Sequence, residues 1–134
     1  MFRPIRYEEG RMEKLPLAES QIVVKGDALQ WNGGYLEVAG STSTDVRFVA
    51  MEDVTTGAGE HKDCLVLPVE GVEFEADCNG VVAIANRGTY AALEDKATID
   101  PDDTTTANAF YIKNYVGKEG VTKKVVGHFV HALE

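Results

Sequence analysis

His61, Asp63 and Cys64 stand close together in the sequence, and a histidine, a carboxylate and a thiol are the groups from which a general base and a thiol nucleophile are assembled. Their context favours a plainer reading. His61 and Asp63 look like loop residues leading into a strand, and Cys64 opens the apolar run Cys64-Leu65-Val66-Leu67, which places the thiol in a core. His128 and His131 would share one face of a helix and so a metal ion. However, Val125-Val126-Gly127-His128-Phe129-Val130 is a strand pattern, and alternation along a strand sends residues three apart to opposite faces. Asp100, Asp102 and Asp103, with Glu94 and Asp95 nearby, form the densest acidic cluster and carry the oxygens that a hard cation takes. The Asp-Pro-Asp-Asp segment lacks the glycine and the distant glutamate of a calcium loop, and aspartates are ordinary turn formers. Ser20, Ser41 and Ser43 are the only serines, and none lies in a Gly-x-Ser-x-Gly elbow. Gly57-Ala58-Gly59 begins a Gly-x-Gly without the third glycine or the strand and helix of a dinucleotide turn. No catalytic residue, cofactor or metal ligand is assigned, and the chain is read as a non-enzyme.

The elements that hold these residues are short. Helical periodicity is nearly absent, and segments rich in Val, Thr, Phe and Tyr recur between clusters of Gly, Asn, Asp and Thr. The clearest strand is Val72-Glu73-Phe74-Glu75-Ala76-Asp77, with Val72, Phe74 and Ala76 toward a core and the acidic row Glu73, Glu75 and Asp77 toward water. Leu29-Gln30-Trp31 and Tyr35-Leu36-Glu37-Val38 flank Asn32-Gly33-Gly34, residues that tolerate positive φ and suit a tight hairpin. Further strands are predicted at residues 21–24, 46–51, 64–69, 81–85, 109–115 and 123–131. Pro68 requires its strand to be an edge or to bulge there. Residues 55–60 and 101–106 have loop composition, while residues 90–96 suit either a helical turn or a strand. Seven or more short strands point to an all-β fold, a small β-barrel or β-sandwich-like domain.

The chain has 134 residues, enough for one core. Cys64 and Cys78, its only cysteines, cannot form a zinc site by themselves. A disulfide between them is geometrically open, but two reduced, buried thiols are the reading preferred. The formal charge of −9 argues against duplex nucleic acid and against an anionic membrane surface. No spanning helix or signal peptide is recognised, so the expected site of synthesis and folding is the cytoplasm.

Residues 1–20 read as an extended N-terminal arm, ahead of a barrel-like domain at residues 21–134. Phe2, Ile5, Tyr7, Leu15 and Leu17 follow no period, and Pro4, Gly10 and Pro16 interrupt any helix. Residues 1–14 hold four basic against three acidic side chains, a net +1 that leaves −10 for the remainder. Such an arm, if extended, would reach about 60 Å. Apolar anchors and basic residues on an acidic body suit a segment that touches a partner.

Taken in order, several features resemble the head decoration, or capsid cement, proteins of tailed bacteriophages. They begin with the Pro-containing arm and Val24-Lys25-Gly26-Asp27-Ala28-Leu29, which leads into Asn32-Gly33-Gly34-Tyr35-Leu36. Val49-Ala50-Met51-Glu52-Asp53-Val54 then precedes a Gly/Thr loop, and Leu67-Pro68-Val69 and Asn86-Arg87-Gly88-Thr89-Tyr90 follow. An acidic Thr-rich loop, Phe110-Tyr111-Ile112 and Val125-Val126-Gly127-His128-Phe129 complete the series. The resemblance implies a β-barrel-like virion protein that forms a homotrimer on the outer capsid surface and cements neighbouring major capsid protein subunits of the expanded head. It implies no cofactor and no direct contact with nucleic acid or membrane. The capsid-contact arm would be Phe2, Arg3, Pro4, Ile5, Arg6 and Tyr7, adding a strand to a capsid-protein sheet. Two alternatives stand beside it: a small β-barrel ligand-binding or enzyme domain built around His61, Asp63 and Cys64, and another phage virion β-protein such as a tail-tube component.

Overall fold

The computed structural model describes residues 1–104 and 107–130. Its strands, in chain order, are β1 (Phe2–Arg6), β2 (Glu13–Pro16), β3 (Ile22–Val23), β4 (Ala28–Asn32), β5 (Tyr35–Val38) and β6 (Phe48–Ala50). They continue with β7 (Val54–Thr55), β8 (Asp63–Pro68), β9 (Glu73–Cys78), β10 (Thr89–Asp95), β11 (Thr98–Asp100), β12 (Phe110–Tyr115) and β13 (Lys124–Phe129). Among the described residues helix is limited to two single 3-10 turns, Glu9–Arg11 and Ile84–Asn86, so the fold is all-β. Among the described residues no helix is long and apolar enough to cross a membrane.

The architecture turns on β9. It bonds to β13 along one edge and to β1 and then β11 along the other, while β11 pairs with β10, β10 with β12, and β12 with β13. That circuit closes a five-stranded barrel, with β1 continuing its wall beyond β11. β11 runs parallel to β9, and the other pairs in this sheet are antiparallel. Alternation along β9 sends Phe74, Ala76 and Cys78 inward, where Phe2, Phe110, Phe129, Leu93, Ile99, Ile112 and Val125 join them. A narrow barrel has little room at its centre. At Gly127 a Cβ would sit 1.9 Å from the Tyr111 carbonyl oxygen and 2.8 Å from the Phe110 ring, so only glycine allows β13 to approach β12 there.

A second sheet, ordered β2-β8-β6-β4-β5, packs against the barrel. Its inner face contributes Ala28, Val49 and Leu67 to the barrel core, and its outer face carries Leu29, Leu36, Ala50, Cys64 and Val66. Leu17 and the β3–β7 ribbon, through Val23 and Val54, cover part of that outer face. Burial on both faces is why these strands read as continuous apolar runs rather than alternating ones. The hairpin forms as expected: Gly33 and Gly34 take φ of +61° and +89°, the conformation a two-residue loop needs to follow the strand twist. Pro68 pairs with Phe48 at the end of β8, beyond the stretch that β2 covers. The Val69 N–H bonds to the Arg47 carbonyl, so by alternation the Pro68 nitrogen faces the side with no strand.

Two expectations are corrected and one open reading is settled. Residues 81–85 make no strand: Val82 is buried, but Ile84 begins a 3-10 turn, and the backbone of Val82 bonds singly to Thr122 and Gly120. Of the two readings open for residues 90–96 the strand forms: β10 runs to Asp95 because β11 and β12 flank it, and Lys96 begins the turn into β11. The free arm is replaced by a packed segment. β1 pairs with β9, β2 pairs with β8, and Phe2 and Leu17 are fully buried. Its apolar residues lack a period because they serve different cores, Phe2, Tyr7 and Met12 the barrel and Leu15 and Leu17 the second cluster. His131 of the predicted last strand, and Thr105 and Thr106 of the predicted loop, lie outside the described residues.

Candidate interaction surface

The outer wall of the barrel collects most of the chain's organised polar chemistry. On β9 the row Glu73, Glu75 and Asp77 points outward and is half-buried. Cations from three other strands bracket it. Arg3 of β1 reaches Glu75 Oε1 at 2.9 Å and Asp77 Oδ1 at 2.8 Å, Lys113 of β12 reaches Glu73 at 2.8 Å, and Lys124 of β13 lies 3.9 Å from Glu75. Hydrogen bonds from the Arg3 guanidinium hold Asp77 down at about 2, against burial, which pushes the carboxyl the other way. The same bonds raise Arg3 itself. The acidic row is therefore matched within the chain rather than merely solvated, and the basic character of the first segment is partly consumed there.

Beside this row runs a line of rings. Tyr90 of β10 stands opposite Tyr111 of β12, and Tyr111 opposite His128 of β13, with ring centroids 5.2 and 5.1 Å apart. Tyr90 and His128 are exposed and Tyr111 is half-buried, so three strands present one aromatic row to solvent on a rigid wall. Alternation along β10 or β13 shows a single ring facing outward, and along β12 it shows Tyr111 with Tyr115, which the bulge between Ile112 and Asn114 turns toward the core. Only the register between strands lines the rings up, which is why Tyr90, Tyr111 and Lys113 are not apparent as a surface in the sequence.

The six residues expected to contact a capsid are distributed differently from an arm. Phe2 is enclosed by Phe110 and Phe129, its ring centroid 5.9 and 4.8 Å from theirs, and is closed to any partner in this fold. Arg3 is engaged with Glu75 and Asp77, Pro4 is half-buried, and Tyr7 packs on the barrel core. Ile5 and Arg6 are exposed. Strand addition at the free edge of β1 meets an obstacle. The Phe2 N–H already donates to the Gly26 carbonyl, and Pro4, facing the same way by alternation, has no N–H. Two donors are thereby removed from that edge, a common guard against unwanted pairing.

His61, Asp63 and Cys64 do not combine. The His61 ring stacks on Tyr35 at 3.9 Å with an interplanar angle of 13°, and its Nδ1 lies 2.9 Å from the Leu17 carbonyl. Asp63 is exposed at the start of β8. Cys64 is buried, and desolvation reinforced by the Glu52 carboxylate pushes its thiol up to about 12, which suppresses the thiolate a nucleophile needs. Cys78, buried in the barrel, is also pushed up to about 12, and both cysteines are free. The acidic cluster serves its own turns and neighbours. Asp100 accepts from the Asp102 N–H, Asp95 from the Ala97 N–H, and Glu94 from the Asn79 amide. Among the described residues no three His, Cys, Asp or Glu side chains converge as metal ligands. The chain matches no family model and no curated protein.

Proposed function

We propose that the protein is a structural coat protein of a phage head, binding the outer capsid surface and cementing neighbouring major capsid protein subunits. The observation that carries this reading is the outer wall of the barrel. Tyr90, Tyr111 and His128 stand in register across three hydrogen-bonded strands, a rigid and partly apolar face of the kind that docks on another protein. The order of sequence features from the Pro-containing first segment to the last strand supports it independently. The mode of contact is revised from a strap to side chains held on folded strands, Ile5 and Arg6 at the end of β1 and the aromatic row, whose His128 borders the cavity that meets theirs at Glu73. Three copies in a trimer would engage together, and each contact would raise the effective concentration of the next by a factor on the order of 10² or more overall.

The test is binding to heads assembled without this protein, before and after expansion, read by co-sedimentation and by single-particle imaging. Saturable occupancy of three-fold positions is the expected result. Heads that take up no protein above background in either state would overturn the proposal. Truncation of residues 1–17 does not serve as the test, because it removes Phe2 and β1 from the barrel.

A further inference from the structure

Where β1 ends, the barrel wall is indented. The floor of one cavity, about 350 Å³, is formed by the buried Val69, Val72 and Phe129. An adjoining cavity of about 400 Å³ is rimmed by Arg6 and Lys113, the two meeting at Glu73, with His128 on the border of the first. Two fixed cations thus surround one carboxylate, a local net +1 before His128 is counted, on a chain of net −9. Glu73 is occupied by Lys113 at 2.8 Å. Arg6 faces Glu73 across the β1–β9 register, yet its guanidinium makes no hydrogen bond or ion pair among the described residues. The His128 ring touches Tyr111 and makes no hydrogen bond among them either. An uncommitted guanidinium offers paired N–H groups in the geometry of a carboxylate.

We infer that this cleft binds an acidic segment of a partner protein, with a carboxylate held by Arg6 beside Lys113 and an adjacent apolar side chain set on Val69, Val72 and Phe129. The apolar floor selects a peptide over a small anion, and the cationic rim selects an acidic one. Identifying the partner as a capsid subunit rests on the coat reading; the chemistry of the cleft does not.

The isotope-labelled protein is titrated with a blocked peptide of alternating Glu and Leu, with its Lys/Leu counterpart, and with inorganic phosphate, and amide and ring shifts are followed. Saturable shifts confined to the cleft are expected with the Glu/Leu peptide alone. The Arg6→Ala and Lys113→Ala variants, both at exposed positions, are expected to keep the native spectrum and to bind about tenfold more weakly each, the loss that follows removal of a charged hydrogen-bond partner. Shifts located elsewhere, equal shifts with the Lys/Leu peptide or with phosphate alone, or unchanged affinity in both variants would overturn the inference. So would cleft shifts that grow with protein concentration before peptide is added, which would assign the cleft to a second copy. Head binding is measured alongside. A variant that loses the peptide but still binds heads overturns the capsid subunit as partner and leaves the coat role standing. Wild-type protein that binds the peptide but no head overturns the coat role and upholds the cleft.

Discussion

Arg3 grips Asp77 with both ends of its guanidinium. Nη2 lies 2.8 Å from Oδ1 and Nη1 3.2 Å from Oδ2, while Nε and Nη2 also reach Glu75 Oε1. The fork ties the first strand to the ninth across more than seventy residues of sequence. It converts a first segment that reads as foreign to the body into part of the barrel wall.

This pair sets an acid limb to stability. Asp77 titrates at about 2 in the folded chain against about 3.9 when unfolded, so the unfolded state binds more protons as pH falls. The contribution is complete above roughly pH 4 and disappears as pH drops toward 2. Urea midpoints measured from pH 7 to pH 2 are expected to fall mainly in that window. The Asp77→Asn variant is expected to show a smaller acid loss from a lower starting point.

Because both partners are about one-third exposed, the energy at stake is modest. Arg3→Ala is expected to cost about 1 kcal/mol at neutral pH, and Arg3→Lys to recover only part of it, since an ammonium cannot fork across two carboxylates. A double-mutant cycle between Arg3 and Asp77 by equilibrium denaturation checks the coupling. Zero coupling would mean that the β1–β9 ladder and burial of Phe2 hold β1 in place without this pair.

Burial of Phe2 contributes more than this ion pair. Its ring is fully enclosed against Phe110 and Phe129, and Phe2→Ala leaves a cavity at the barrel centre with an expected cost of about 3–5 kcal/mol. The near-ultraviolet circular dichroism of the packed aromatics and the thermal midpoint should both decline. A variant as stable as the wild type would restore the view of residues 1–6 as a detachable arm.

Gly127→Ala tests the closure of the barrel. The new methyl would meet backbone at 1.9 Å, and the main chain of β12 cannot yield without opening the barrel, so a loss of about 3 kcal/mol or more is expected. Gly10→Ala, where the space around the Cβ is empty and φ is not in the left-handed region, is the control and should leave the melting temperature nearly unchanged.

Both thiols should be silent in the native state. Cys64 and Cys78 are buried and titrate near 12, so at pH 8 an aromatic disulfide reagent is expected to react slowly with folded protein and rapidly with both groups in denaturant. Rapid reaction of either thiol without denaturant would show local opening of the core that holds it.

Much of the fold is written in local pattern. Phe74 and Ala76 alternate with Glu73, Glu75 and Asp77, and that alternation is enough to place β9 with one wet and one dry face. Two consecutive glycines after Asn32 are enough to place the hairpin, because only residues free to take positive φ complete so short a loop. All-β class, the β4–β5 hairpin and the burial of both cysteines follow from such short-range facts. Other elements carry no such mark. β11 is three residues long and pairs in parallel with β9, so nothing in Thr98-Ile99-Asp100 distinguishes it from a turn until β9 is beside it.

The same distinction separates what residues 1–20 look like from what they are. Their sequence determines that no α-helix forms, only the single 3-10 turn at Glu9–Arg11, and that Phe2, Leu15 and Leu17 must find apolar surroundings. It does not determine whose surroundings, because burial and strand pairing are long-range and the partners, β9 and β8, lie some fifty or more residues away. The aromatic row and the cleft at Arg6 are decided in the same way. Each of Tyr90, Tyr111, His128, Arg6 and Lys113 is an ordinary outward residue on its own strand, and strand register and barrel closure bring the three rings into one row and Arg6 and Lys113 to one cavity.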